Sequence, residues 1–278
     1  MKLTVLIDNN TLIDRNFLGE PGVSYLIETD DKKILFDVGY SDAFIVNARK
    51  LSIDLLSVNF IVLSHGHLDH TWGLVPLVRL YTDLIFEGQN VNKPTLVTHP
   101  LSLSSKKIGD LPEIGTLIPK NKLAGYFNLK LSREPVYLTE RLVYLGEIER
   151  TNDFEAKKPM GKTLDGGIEK DDFLIDDSAL AYKSPEGLII ITGCSHSGIC
   201  NIVEYARKVC GDDRVVDIIG GFHLLNPSKE QMNGTIEYMI SLHPASVHAC
   251  HCTDLNSKIA LSSVVNIKEV GVGLILEY

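Results

Sequence analysis

The nine histidines of this 278-residue chain are unevenly placed: three of them, with a carboxylate, fall inside Ser64-His65-Gly66-His67-Leu68-Asp69-His70. A His-x-His-x-x-His spacing arises by chance in about one sequence in a hundred of this composition, before the aspartate is required. Two imidazoles one residue apart in extended backbone point the same way, and Asp69 and His70 follow on a turn. Imidazole nitrogens with one carboxylate suit zinc, iron or manganese, and spacing does not choose among them. Three further segments carry histidine where an apolar run stops: Gly193-Cys194-Ser195-His196, Gly220-Gly221-Phe222-His223 and His248-Ala249-Cys250-His251-Cys252. Side chains at strand ends converge on one edge of a sheet. The candidate metal ligands are therefore His65, His67, Asp69, His70, His196, His223 and His251, with Asp69 also the candidate catalytic base.

The remaining polar residues have plainer readings. His99 precedes a proline at a strand end, His243 precedes Pro244 at a helix end, and His248 faces away from His251 in an alternating strand, so all three read as structural. His223 reads as a ligand or as a hydrogen-bond donor that orients one. Thiolates bind zinc well, but the position of Cys194, Cys250 and Cys252 next to histidines reads as packing behind the imidazoles. Asp37 is expected to hydrogen-bond a metal-binding histidine or a nearby turn.

The elements that must position these residues follow from the apolar pattern. Strands are expected at 3–7, 24–28 and 33–37, separated by breaks at Asn9-Asn10, Pro21-Gly22 and Asp30-Asp31, which makes a meander. The run 60–63 is continuously apolar, as in a strand covered on both faces. Helices are expected over 42–50, after Trp72, over 199–209 and over 229–242, and strands over 95–98, 215–219 and 246–250. The stretch 179–192 reads as a hairpin about Ser184-Pro185-Glu186-Gly187. Between them, 101–172 breaks into short apolar runs divided by Gly, Pro and Lys, with strand-like patterns at 136–138 and 142–148. This predicts three parts: a first half over 1–100, an inserted cap over 101–172, and a second half over 173–278. Lys106, Lys107, Arg133, Lys157, Lys158 and Lys162 of the cap either meet an anionic substrate over the cleft or form a solvated surface.

Composition narrows the partners. With 44% hydrophobic residues the chain can bury a substantial core, and the formal charge of −9 is scattered, which argues against nucleic acid. No stretch is long and apolar enough to span a bilayer, and the opening MKLTVLIDNN lacks the features of a signal peptide, so a cytoplasmic protein is expected. Five cysteines, an odd number crowded toward the C-terminal half, do not form a disulfide framework, and Cys200 and Cys210 read as small buried hydrophobes. A homo-oligomer is compatible with all of this.

The segment from Ser64 to His70 resembles the signature of the metallo-β-lactamase superfamily, and Phe36-Asp37-Val38-Gly39 resembles its preceding strand and turn. The resemblance implies an α/β (α+β) fold, a four-layer αββα sandwich carrying the inserted cap. It also implies one metal held by His65, His67 and His196 and a second held by Asp69, His70 and His251. Where many members carry an aspartate bridging the metals, this chain has His223, whose neutral imidazole offers a single lone pair. Gly193-Cys194-Ser195-His196, Gly221-Phe222-His223-Leu224 and His251-Cys252-Thr253 further resemble the 7,8-dihydropterin-6-methyl-4-(β-D-ribofuranosyl)-aminobenzene-5′-phosphate synthases and their uncharacterised bacterial relatives. The functional expectation is a hydrolase with one or two divalent cations, zinc foremost and iron or manganese next. It would act on a small phosphorylated anion through metal-activated water, with Asp69 orienting the water and accepting its proton. The synthase reaction, coupling a dihydropterin diphosphate to a ribosyl-aminobenzene phosphate, is the alternative. A non-catalytic metal-binding protein whose cap blocks the site is a third.

Overall fold

The computed structural model describes residues 1–278. Strands β1 (Lys2–Ile7), β2 (Ser24–Thr29) and β3 (Lys32–Phe36) form the expected antiparallel meander, and the Asp30-Asp31 turn uses two left-handed residues. Helix α1 (Ala43–Lys50) then crosses to β4 (Phe60–Val62), which pairs in parallel with β3 and, beyond α2 (Leu68–Thr71) and α3 (Leu74–Phe86), with β5 (Thr95–Thr98). That arrangement explains why 60–63 is apolar throughout, since a central parallel strand has no wet face.

The stretch 101–172, expected to be an inserted cap, also supplies strands to both main sheets. After β6 (Lys106–Lys107) and α4 (Lys120–Tyr126), β7 (Asn128–Leu131) pairs in parallel with β5 and becomes the edge of the first sheet. Strands β8 (Val136–Tyr137) and β9 (Leu142–Tyr144) cross into the second sheet, where β9 joins the later hairpin and Leu142, Val143 and Tyr144 are all buried. Only the hairpin β10 (Lys162–Asp165) and β11 (Ile168–Asp171), paired with β6 in a small third sheet, and the loop 145–161 stand at the mouth of the sandwich. The Gly, Pro and Lys breaks thus mark short crossings between sheets, because the apolar runs between them are needed in both cores.

The C-terminal part follows its pattern closely. The hairpin β12 (Ala179–Lys183) and β13 (Leu188–Thr192) is antiparallel; α5 (Ile199–Cys210), β14 (Val215–Gly221), α6 (Lys229–Leu242) and β15 (Ser246–Cys250) then alternate, with β13, β14 and β15 parallel. Helix α7 (Leu255–Ser262) and β16 (Ile275–Glu277) complete the chain, β16 returning to pair with β1 in the first sheet.

Three apolar clusters define four layers. The inner faces of the two sheets meet through Val5, Tyr25, Phe36, Leu180, Tyr182 and Ile191 among others. The outer face of the seven-stranded sheet is covered by α1, α3 and α4 through Phe44, Leu77 and Leu123, and that of the six-stranded sheet by α5 and α6 through Ile202, Ala206 and Met239. This is the αββα sandwich. No helix is long and apolar enough to cross a membrane.

Candidate metal centre

Every histidine-bearing segment sits just beyond a strand, on the same edge of the two sheets. His65 and His67 follow β4, and His67 is the residue before the single turn of α2 that carries Asp69 and His70. His196 follows β13, His223 follows β14 and His251 follows β15. Asp37, Ser195, His223 and His251 all adopt left-handed backbone conformations, uncommon for residues with a Cβ and typical of sites where geometry is over-determined. His251 is held in that shape by its N–H donating to Asp8 Oδ1 at 3.0 Å. The two sheets touch here at Gly193, where a Cβ would fall 2.2 Å from Ser64 Oγ.

The seven predicted residues do meet. Ring centroids of His65 stand 4.7 Å from His67, 4.3 Å from His70 and 4.7 Å from His196, with His196 4.8 Å from His67 and 4.3 Å from His223. Asp69 Oδ2 lies 3.7 Å from His70 Nε2 and 3.3 Å from His251 Nε2. Three of the rings are anchored by their other nitrogen: His65 Nδ1 to Ser64 Oγ at 2.9 Å, His70 Nδ1 to Asp37 Oδ2 at 2.7 Å, and His251 Nδ1 to Asn9 Oδ1 at 2.9 Å. Such contacts fix ring orientation and turn the free nitrogen toward the cluster. Asp37 therefore does contact a clustered histidine as expected, and it also accepts from the Ser64 N–H at 2.7 Å.

Four nitrogens are left with nothing. His65 Nε2, His67 Nε2, His196 Nε2 and His223 Nδ1 are buried without a hydrogen-bond partner. An unsatisfied buried polar group costs about 1–3 kcal/mol, so the three Nε2 atoms of His65, His67 and His196 together call for a partner that accepts lone pairs, which a cation is. Electrostatics agree. Burial, with the neighbouring rings, holds His65 and His196 well below the usual imidazole range, and burial, with the Lys106 ammonium, brings His67 down to about 4, so these rings are neutral lone-pair donors. Burial opposes charge on His70 and Asp69 as well, but the carboxylates of Asp69 and Asp37 outweigh it and carry His70 up to about 9. The His70 and His251 rings likewise hold Asp69 well below the carboxylate range.

Cys194 does not pack behind the imidazoles, contrary to expectation. Its Sγ lies 3.2 Å from His70 Nε2 and 3.1 Å from His251 Nε2, and it shares a second group with His65 and His196 and a third with His223 and Cys252. His223 groups only with the two cysteines, so it does not stand between the two ligand sets. The signal available in sequence was position: Cys194 closes the apolar run 188–192 just as the histidines close theirs. His99, His248 and His243 lie elsewhere, in a pairing with Glu147 at 3.2 Å, in a hydrogen bond to Asp217 at 2.9 Å and at the left-handed end of α6.

The basic residues of 101–172 divide in two. Lys106 is fully buried and ion-paired to Asp172 at 2.7 Å and Asp176 at 2.9 Å, so it neither meets substrate nor faces solvent. Lys107, Arg133 and Lys162 are exposed beside Glu169, Glu147 and Asp171. Lys157 and Lys158, by contrast, line a cleft of about 460 Å³ with Phe154, Met160 and Phe173, and His196 and His223 form its floor.

Residues 18–207 match the family model described as the metallo-beta-lactamase superfamily. The chain belongs to the metallo-β-lactamase superfamily. Over 268 residues it is 31% identical to the 7,8-dihydropterin-6-methyl-4-(beta-D-ribofuranosyl)-aminobenzene-5'-phosphate synthase of Methanocaldococcus jannaschii, covering 93% of this chain and 89% of that one. An uncharacterized protein of the same organism is 30% identical over 274 residues, 99% of both chains. Among solved structures, a metal-dependent hydrolase of the beta-lactamase superfamily matches with a TM-score of 0.83 at 29% identity, over 100% of this chain and 99% of that one. The metallo-beta-lactamase fold protein YhfI of Bacillus subtilis shares the fold at 12% identity and a TM-score of 0.58, over 100% and 99% of the chains. Divalent metals are typical of this superfamily, and the donor set and its orphaned nitrogens fit them.

Proposed function

We propose that this metallo-β-lactamase superfamily member is a metal-dependent hydrolase of a phosphoester or a related small anion. The observation that carries the proposal is the junction of two features: a buried cluster of imidazoles whose nitrogens lack partners, and a cleft that reaches it past two lysines. Cations held by these residues would supply Lewis acidity, lowering the pKa of water toward about 7 and offsetting charge that builds on a phosphoryl group. Imidazole, carboxylate and thiol donors together favour zinc over the harder cations. The side chain of Asp69, 22% exposed and beside both His70 and His251, supports a role in orienting water and accepting its proton. Lys157 and Lys158 supply positive charge for the phosphate, and the apolar wall of Phe154 and Phe173 accommodates the organic part. A cleft leading to His196 and His223 speaks against a cap that closes the centre off.

The 31% identical synthase favours a second reading, in which the same cations would assist departure of diphosphate from a dihydropterin while an aromatic amine attacks. The test is metal analysis of the purified protein, then turnover of phosphomonoesters and phosphodiesters with that metal restored, alongside a pterin diphosphate and aniline mixture assayed for coupled product. Hydrolysis is expected, and His67→Ala and Asp69→Ala should lose it while keeping the wild-type circular dichroism spectrum. Unchanged turnover in either variant would sink the assignment, and coupled product without hydrolysis would replace it with the synthase reading.

A further inference from the structure

The two ligand sets, His65, His67 and His196 on one side and Asp69, His70 and His251 on the other, leave the side chain between them without a role. Cys194 Sγ lies within 4.8 Å of the donor atoms of His65 and His196, and also within 4.8 Å of those of Asp69, His70 and His251. No other side chain belongs to both groups. It is 4% exposed, on a strand end that Gly193 presses against Ser64 of the other sheet. The sulfur is 3.2 Å from His70 Nε2 and 3.1 Å from His251 Nε2, while His65 Nε2 and His196 Nε2 have no partner.

We propose that Cys194 is a metal ligand and that its thiolate is shared by the two cations of the centre. This rests on the metal-centre reading above and adds to it the group that joins the two halves of the site. A thiolate sulfur carries more than one lone pair and is a soft donor, so it can serve two cations at once, whereas the single lone pair of a neutral His223 imidazole serves one. Donors that share one tetrahedral zinc stand about 3.5 Å apart, close to the separations of the sulfur from His70 and His251. The chemistry is proton exchange: the S–H bond breaks, two sulfur–metal bonds form, the proton passes to solvent, and nothing is oxidised or reduced. Sharing the sulfur also places a fixed negative charge between two dications, where it offsets their repulsion.

Cobalt(II) reports on this directly, because sulfur ligation gives a charge-transfer band in the near-ultraviolet that nitrogen and oxygen ligation does not. Wild-type protein and Cys252→Ser are expected to show the band, growing through two equivalents of cobalt, and Cys194→Ser to lack it and to bind cobalt roughly 10–100-fold more weakly. In folded wild-type protein, zinc X-ray absorption should show a sulfur scatterer at about 2.3 Å beside the nitrogen and oxygen ones, a result independent of whether any variant folds. Cobalt uptake without the band, a band lost in Cys252→Ser but kept in Cys194→Ser, or bound zinc with nitrogen and oxygen scatterers only would overturn the proposal. A band that saturates at one equivalent while a second cobalt binds would overturn the sharing. No cobalt or zinc uptake at all would remove the metal-centre reading with it, so the two failures can be told apart.

Discussion

At Asp37 one carboxylate takes hydrogen bonds from the Ser64 N–H at 2.7 Å, the Ser64 hydroxyl at 2.7 Å and His70 Nδ1 at 2.7 Å, and Ser64 Oγ in turn receives His65 Nδ1. Two rings of the cluster are therefore oriented by one side chain, His70 directly and His65 through Ser64. Asparagine has the same shape, but its amide nitrogen cannot accept, so Asp37→Asn must give up the Oδ2 contacts with Ser64 and His70. We expect zinc affinity to fall by about 10–100-fold in this variant, read by competition with a chromogenic chelator, with the fold retained. Affinity equal to wild type would show that ring orientation does not depend on this carboxylate. Asp37 was legible through the resemblance of Phe36-Asp37-Val38-Gly39 to the strand and turn of the superfamily, because by position alone it reads as the polar end of a strand. Cys194 was not: a thiol beside a histidine reads first as packing, and only the fold brings it against histidines from two sheets.

Elements with strong local signals were equally legible. The hairpin over 179–192 carries its turn between two apolar runs, and α5 repeats buried Ile199, Ile202, Val203, Ala206 and Cys210 at helical spacing. Strand β7 has no such signal. Its residues are exposed or only half-buried, and it is placed by parallel pairing with β5 some thirty positions earlier, a contact that no local window contains. The hairpin of β10 and β11 pairs locally about Gly166-Gly167, but it is largely exposed, so no apolar run marks its strands. Its docking on β6 nevertheless has a consequence for the centre, because β6 carries Lys106 into a buried triad. Burial opposes the charge of Asp176, but Lys106 outweighs it and holds the carboxyl below its usual range, and Asp176 Oδ2 accepts the N–H of Gly66 at 2.9 Å, between His65 and His67. Removing the cation would strand two carboxylates out of water. Lys106→Met is therefore expected to destabilise the protein by about 3–5 kcal/mol in urea unfolding, far more than the loss of an exposed pair such as Lys162 with Asp171. A loss below about 1 kcal/mol would mean that the triad is not what holds the small sheet and the Gly66 loop in place.

The whole molecule is two sheets, and its centre draws on both. The seven-stranded sheet supplies His65, His67, Asp69 and His70, and the six-stranded sheet supplies Cys194, His196, His223 and His251. A cation bound there ties the sheets together at one edge and has no such site in the unfolded chain, so it stabilises the fold by mass action. At a hundredfold excess over Kd the gain is about 2.7 kcal/mol, which for a domain of this size raises Tm by roughly 5–10 °C. The size of that rise depends on pH. His70 sits at about 9 without a cation, so at neutral pH it holds a proton that coordination must displace. Raising pH toward 9 removes that competitor, affinity gains up to about tenfold per unit, and the zinc-induced rise in Tm should be larger at pH 8 than at pH 7. His67 contributes in the opposite window. Its pKa, brought down to about 4, lies below its unfolded value, so its contribution to the metal-free fold is present above pH 6.5 and is lost as pH falls toward 4. Differential scanning calorimetry with zinc and with chelator across pH 5–8 separates the two: the chelated protein should lose Tm on the acid side, and the gap between the curves should open toward pH 8. Coincident curves at every pH would mean that no cation links the two sheets.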